Sequence, residues 1–290
     1  MFNTNTEVSL EELDERIDSR FRRLSLEANF INNTLYIFEG LVSDITSKIK
    51  NFIPSFITTI KTEDVSTSQI KLALGELKKY TKLVAQVDYD NLLVSVPEGF
   101  NGNMLDYLNT LDNMSSSVYS KTIDLLSEYK LILATFINSK DEKIAIKDNT
   151  FMFKKAKHDR EDFIKRILKF FPAKNHTSKV LLGTIIHRFS DLDKLAETVY
   201  KMNKDYNRAN LETINSLVSE IVDLLDIINI NVENGSITNV SGAASKNISE
   251  GAFELAQTVE FVSVFTFRKQ QASTSVANII TDSISLFQNK

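Results

Sequence analysis

Cysteine is absent from this chain of 290 residues. That removes disulfide frameworks, thiolate metal sites and cysteine nucleophiles together. Tryptophan is absent too, and only three prolines and eight glycines are present. Folds built on many tight turns need more of both, because glycine supplies positive φ and proline pre-sets turn geometry. The glycine loops that cradle phosphates are missing as well: there is no G-x-G-x-x-G and no Walker A motif, nor any G-x-S-x-G or H-E-x-x-H. Net charge is only −4 and the pI about 5.6, so no global field draws the chain to nucleic acid or anionic lipid. No run of about 18 apolar residues occurs, which argues against a constitutive transmembrane helix. The acidic start, MFNTNTEVSLEELDER, lacks the apolar core of a secretory signal.

What is present is helical periodicity. Leu10, Ile17, Leu24, Ile31, Phe38, Ile45 and Phe52 recur every seven residues. Four positions after each lies a second row, Phe21, Ala28, Leu35, Val42, Ile49 and Phe56, broken only by Asp14, where Leu13 fills the gap. A sustained 3.5-residue repeat keeps one apolar stripe facing a partner. A helix from about Ser9 to Ile53 would be roughly 65 Å long at 1.5 Å per residue. Ser9 and Glu12 form a capping box at its start, and Pro54 ends it. A second helix is predicted from Thr67 to Val87, followed by an extended piece at Val94–Val96 and a turn near Gly99 and Gly102.

A third helix, about 103–138, repeats the heptad with Met104, Leu111, Val118, Leu125 and Ile132, and with Leu108, Ser115, Thr122, Tyr129 and Phe136 between. Residues 138–150 are a charged connection. A fourth helix runs over 151–171 to Pro172, and a fifth from about Thr177 to Ile230 with a re-cap at Ser190 and Asp191. Asn234-Gly235 and Ser241-Gly242 mark a turn-rich stretch that suggests a small β-hairpin near 231–248. Phe261–Phe267 is rich in β-branched and aromatic residues, yet continues a helical pattern from Phe253 and is assigned to helix. The expected fold is all-α: an elongated bundle of very long heptad-patterned helices. It divides into a long-helix bundle over 1–138 and a second helical region over 139–290, the two being open to merging into one domain.

Chemistry-bearing constellations are scarce. His158, His176 and His187 are dispersed, and His187 beside Ile185 and Ile186 is read as a partly buried structural residue. His158, Glu161 and Asp162 share a helical face, but di-iron bundles use paired Glu-x-x-His motifs and none exists here. No catalytic residues, metal or cofactor are therefore expected, and the chain is read as non-enzymatic. The one local charge anomaly is basic: Lys154, Lys155, Lys157, Arg160, Lys165, Arg166 and Lys169 sit on the fourth helix among Phe151, Phe153, Phe163, Ile167, Phe170 and Phe171. Such a helix either turns its cations to solvent or docks them, first on an acidic protein surface and, ranked behind that, on nucleic acid or anionic membrane. The heptad positions Leu24, Ile31, Phe38, Ile45, Leu111 and Leu125 are candidate seam contacts, burying either within the chain or against a second molecule.

In general architecture the chain resembles helical structural and scaffolding proteins of phages and their satellites; no motif carries that likeness and no residue role transfers from it. The resemblance implies a virion or capsid-scaffolding component located in the host cytoplasm or in an assembled particle, working through protein partners or self-association. The rival is an α-helical, pore-forming-toxin-like protein inserting 40–57 or 252–267, against which Glu254 and Glu260 count.

The seam register has a direct test. Ile31→Asp should cost several kcal/mol, because it places a carboxylate in a packed stripe, whereas Asn33→Asp on the opposite face should cost under about 0.5 kcal/mol. Thermal melting of both variants checks this, and equal melting temperatures would refute the register.

Overall fold

The computed structural model describes residues 72, 75–76, 92–97, 100–138, 150–170, 177–188, 190–204, 207–237, 240 and 242–288. The predicted first helix, with the seam positions Leu24, Ile31, Phe38 and Ile45, lies outside the described residues, as does most of the second. Of what is described, 85% is helical, so the all-α class stands. In chain order the elements are strand β1 (Leu93–Pro97), helices α1 (Met104–Asn138) and α2 (Thr150–Leu168), strand β2 (Thr177–Leu181), then α3 (Leu182–Ile185), α4 (Asp191–Lys204), α5 (Asn207–Glu233) and α6 (Gly242–Gln288).

Helix α1 starts where Asn103 accepts from the amides of Leu105, at 2.9 Å, and Asp106, at 3.3 Å, meeting the unpaired donors of a first turn. Its heptad resolves the open question about burial at this seam: Met104, Leu108, Leu111, Val118, Leu125 and Ile132 are buried in the core of the same chain. Ser115 and Thr122 are buried among them, and their hydroxyls donate to the carbonyls of Leu111 and Val118 at 2.7 Å each. A small hydroxyl satisfied within its own helix brings no unmet polar atom into the seam.

Helices α1 and α6 form the centre of the packing: α6 packs against α1, α2, α4 and β1, and α1 packs against α2, α4, α5 and α6. Apolar residues appear all round its circumference, the pattern of a buried helix rather than a surface one. The 261–267 segment is helical, as assigned, because burial and not β-propensity decides the state of such a run. The 252–267 stretch considered for membrane insertion lies inside this core helix, and no helix among the described residues is long and apolar enough to cross a membrane.

Helix α2 lies beside α6, in the same direction and in step with it. Phe153 abuts Gly251, Arg160 meets Glu254 and Gln257, and Phe163 stacks on Phe261 at 6.2 Å. Helix α1 runs oppositely: the Tyr129 hydroxyl donates to the Ile248 carbonyl at 2.8 Å, while Tyr119 contacts Phe265 and Thr266 farther along. Residues on both sides of position 139 share one core.

Three local assignments change. Residues 177–181 form a strand, not the start of a long helix, pairing antiparallel with β1 from Leu93↔Leu181 to Pro97↔Thr177. A five-residue apolar-polar run carries too little periodicity to separate strand from helix, and its distant partner decides. The small sheet is thus present, but built here and not at 231–248. There Asn234-Gly235 terminates α5: Gly235 takes φ 73°, and the amide of Ile237 donates to the Asn231 carbonyl at 2.8 Å. The left-handed glycine that makes a hairpin turn also makes a helix stop, and α6 begins soon after. His187, finally, is exposed on the connection after α3.

Gly251 has a structural reason to be glycine. A Cβ there would stand 2.2 Å from the Tyr129 ring and 2.9 Å from Phe153. Helix propensity alone favours Gly251→Ala by about 1 kcal/mol, but overpacking costs about 1–3 kcal/mol, and the Tyr129 ring is tethered by its hydroxyl. A net loss of stability in chemical denaturation is expected. Gly75→Ala, where a Cβ meets nothing within 4 Å, should stabilise instead.

Candidate functional site

The basic helix α2 divides its residues between two faces. Phe153, Phe163, Ile164 and Ile167 are buried, anchoring one face on the core. Lys154, Lys155, Lys157, Lys165, Arg166 and, just beyond the helix end, Lys169 are exposed. The acidic residues of the helix are already engaged: Asp159 with Lys121 of α1 at 2.8 Å, Asp162 with Arg166 at 2.8 Å, and Glu161 with Lys157 at 3.8 Å. Lys154, Lys155, Lys165 and Lys169 make no ion pair with a described residue. A stripe of positive charge without acidic partners among the described residues therefore faces outward.

Arg160 does not belong to that stripe, which corrects its assignment as a docking cation. It is 5% exposed, and its guanidinium donates to Glu254 Oε1 and Gln257 Oε1 of α6. The physical reason is position: Arg160 falls seven residues after Phe153 and seven before Ile167, on the buried stripe itself. A cation on an apolar stripe needs a buried partner, and Glu254 supplies it. Burial holds the Glu254 carboxyl above its ordinary value, with Arg160 pulling the other way and Thr258 donating a hydrogen bond. Glu254 stood out in the sequence only as a charge in an apolar run; that anomaly was the available signal for the pair.

Phe151 also departs from its expected place on the apolar face. It is 80% exposed at the start of α2, one residue before the partly buried Met152. Phe171 and His176 lie outside the described residues. Leu111 and Leu125, proposed as seam contacts, are core residues of α1, although Leu125 also reaches a surface groove.

That groove, about 250 Å³, opens between α1 and α2 with α6 as its floor. Val118, Leu125, Met152, Phe163 and Phe261 make it mainly apolar. Lys121 bridges it to Asp159 and lies 5.4 Å over the Phe163 ring, closing part of the mouth. The α1 wall presents Asp124 and Glu128, exposed and one turn apart. The opposite wall presents Lys155. Among the described residues no group of three or more acidic, histidine or cysteine side chains is placed to hold a metal ion. The arrangement is an apolar slot whose walls each carry both signs of charge. With Lys121 paired to Asp159 and Arg160 to Glu254, Asp124 and Glu128 on the α1 side and Lys155 on the α2 side remain without an ion pair among the described residues.

Comparison of the chain with protein-family models, curated proteins and solved structures gives no match.

The Arg160–Glu254 pair predicts a pH signature. Arg160→Met leaves a buried carboxylate without its cation and should cost about 3–5 kcal/mol at neutral pH. Because the folded-state pKa of Glu254 is raised above 4.5, the folded state binds this proton more tightly than the unfolded chain. Its contribution to stability is complete below the ordinary value and is lost as pH rises through the raised one. Removing Arg160 raises the carboxyl further, so the deficit of the variant should shrink as pH falls towards 4.5. Urea denaturation over a pH series measures this, and Glu254→Gln in the Arg160→Met background should flatten the dependence.

Proposed function

We propose that this protein is a non-enzymatic structural or assembly protein that docks through the exposed basic face of α2 on an acidic protein surface. A phage or phage-satellite virion or capsid-scaffolding component is the particle-level form of that reading. The observation that carries it is the stripe of Lys154, Lys155, Lys165 and Lys169, left without ion pairs among the described residues while every acidic side chain of α2 is engaged. A solvated helix face in an acidic chain gains nothing from concentrating one sign of charge. A docking face gains faster encounter and correct register.

Further support comes from how α2 is mounted. Its apolar face, the Arg160 pair and the Phe163–Phe261 stack hold the helix rigidly on α6, so the lysines project from a fixed scaffold. Rigid presentation lowers the ordering cost of binding. The self-contained burial of the α1 seam supports the same view, because contact with partners is then left to surface features of this kind.

Lys154→Glu, Lys155→Glu, Lys157→Glu and Lys165→Glu combined should preserve the far-ultraviolet dichroism, since exposed lysines contribute little net stability. The charge-reversed chain should lose co-sedimentation with particles from its native producing cells at low ionic strength. The wild type should lose it progressively as salt rises past the point where screening reaches about 10 Å. Equal co-sedimentation of both at every salt concentration would refute the reading.

A further inference from the structure

The partner surface for α2 can be named from the molecule itself, an inference that rests on the reading of α2 as a docking helix. Two unsatisfied features stand side by side. One is Phe151, 80% exposed, with the exposed Lys154 and Lys155 on the turn after it. The other is the groove between α1 and α2, apolar at its base and walled on the α1 side by Asp124 and Glu128, which make no ion pair with a described residue. At about 250 Å³ it falls below the roughly 300 Å³ where small-ligand pockets begin. It has room for an anchoring side chain.

The two features match in shape and in the charge left over once Lys121 is paired with Asp159 and Arg160 with Glu254, although Lys155 of the same chain also stands on the far wall of the slot. An exposed aromatic anchor matches an apolar slot, and two lysines following the anchor match two carboxylates on the wall. They cannot satisfy each other within one chain by continuing α2, because Phe151 points to solvent while its neighbour Met152 lines the slot. We propose that the occupant is a second copy of this chain: its Phe151 seats in the groove, and its Lys154 and Lys155 face Asp124 and Glu128. Anchor and slot are adjacent on one surface, so a two-fold axis lets each copy give and receive the same contact. Such an isologous contact closes on itself and does not propagate.

Sedimentation velocity of the purified 290-residue chain tests this apart from any particle. The wild type should show a concentration-dependent association step that weakens as salt is raised. Asp124→Lys with Glu128→Lys should abolish that step, because lysines then face lysines across both halves of the contact. Lys154→Glu with Lys155→Glu should abolish it too, because carboxylates then face carboxylates. Mixing these two variants should restore the step, since in the mixed pair one half is native and the other is fully charge-swapped. Phe151→Ser should abolish association without altering any charge, and circular dichroism should show unchanged helicity throughout.

The proposal is overturned if the wild type shows no such step, if either reversed variant associates like the wild type, or if the mixture fails to regain it. Such a failure leaves the docking reading standing whenever the lysine-reversed chain still loses co-sedimentation with native particles. If that co-sedimentation is also unaffected, both fall.

Discussion

Desolvation of α6 is the constraint on which the rest of the arrangement depends. The helix carries Glu254, Gln257, Arg268 and Lys269 into the interior along with its apolar residues. Each such group loses its hydration and must recover the loss from a partner. Glu254 and Gln257 recover it from Arg160, which ties α2 to one line on α6. Lys269 lies 5.9 Å from the Tyr119 ring, whose hydroxyl shares a hydrogen bond with Thr266 at 3.1 Å. Arg268 donates to Gln271, and burial lowers its pKa. The buried ion pair adds a directional constraint to the register already favoured by Phe153 against Gly251 and by the Phe163–Phe261 stack.

That register decides what α2 shows to solvent. With Arg160 pinned inward, Phe153 and Phe163 fall on Gly251 and Phe261, and the lysines are left on the outer face. The groove follows from the same geometry. Helices α1 and α2 both lean on α6 and meet at the Tyr129–Phe153 ring contact and at Lys121, which reaches Asp159 and the Phe163 ring, leaving an apolar slot between those contacts.

The small sheet performs a different mechanical task. Its strands are far apart in sequence, and their pairing is extended by the amide of Leu182 donating to Leu92 at 2.7 Å and that of Asn101 donating to Phe170 at 2.9 Å. Phe100, Tyr107 and Phe170 cluster at the end of this clasp, with ring centroids 5.2–6.5 Å apart. The segment entering α1 is thereby fastened to the segment leaving α2. Val94 and Val96 fill the inner face and pack the sheet on the core.

Helix content, the α1 seam, the start of α4 at Asp191 and the buried row Leu211, Ile214, Val218, Ile221, Leu225 and Ile228 were legible in the sequence. Each rests on spacing within one element, and hydrophobic periodicity is a local property. The basic helix was legible for the same reason. Only tertiary structure decided that 177–181 is a strand, that Asn234-Gly235 stops a helix, that Glu254 and Gln257 are the partners that let Arg160 stay on its buried stripe, that Phe151 faces outward, and that Asp124 and Glu128 wall a groove. Those outcomes depend on which distant segment arrives alongside. A short strand needs its partner, a buried arginine needs its carboxylate, and one stripe pattern is compatible with several registers until a specific pair selects among them.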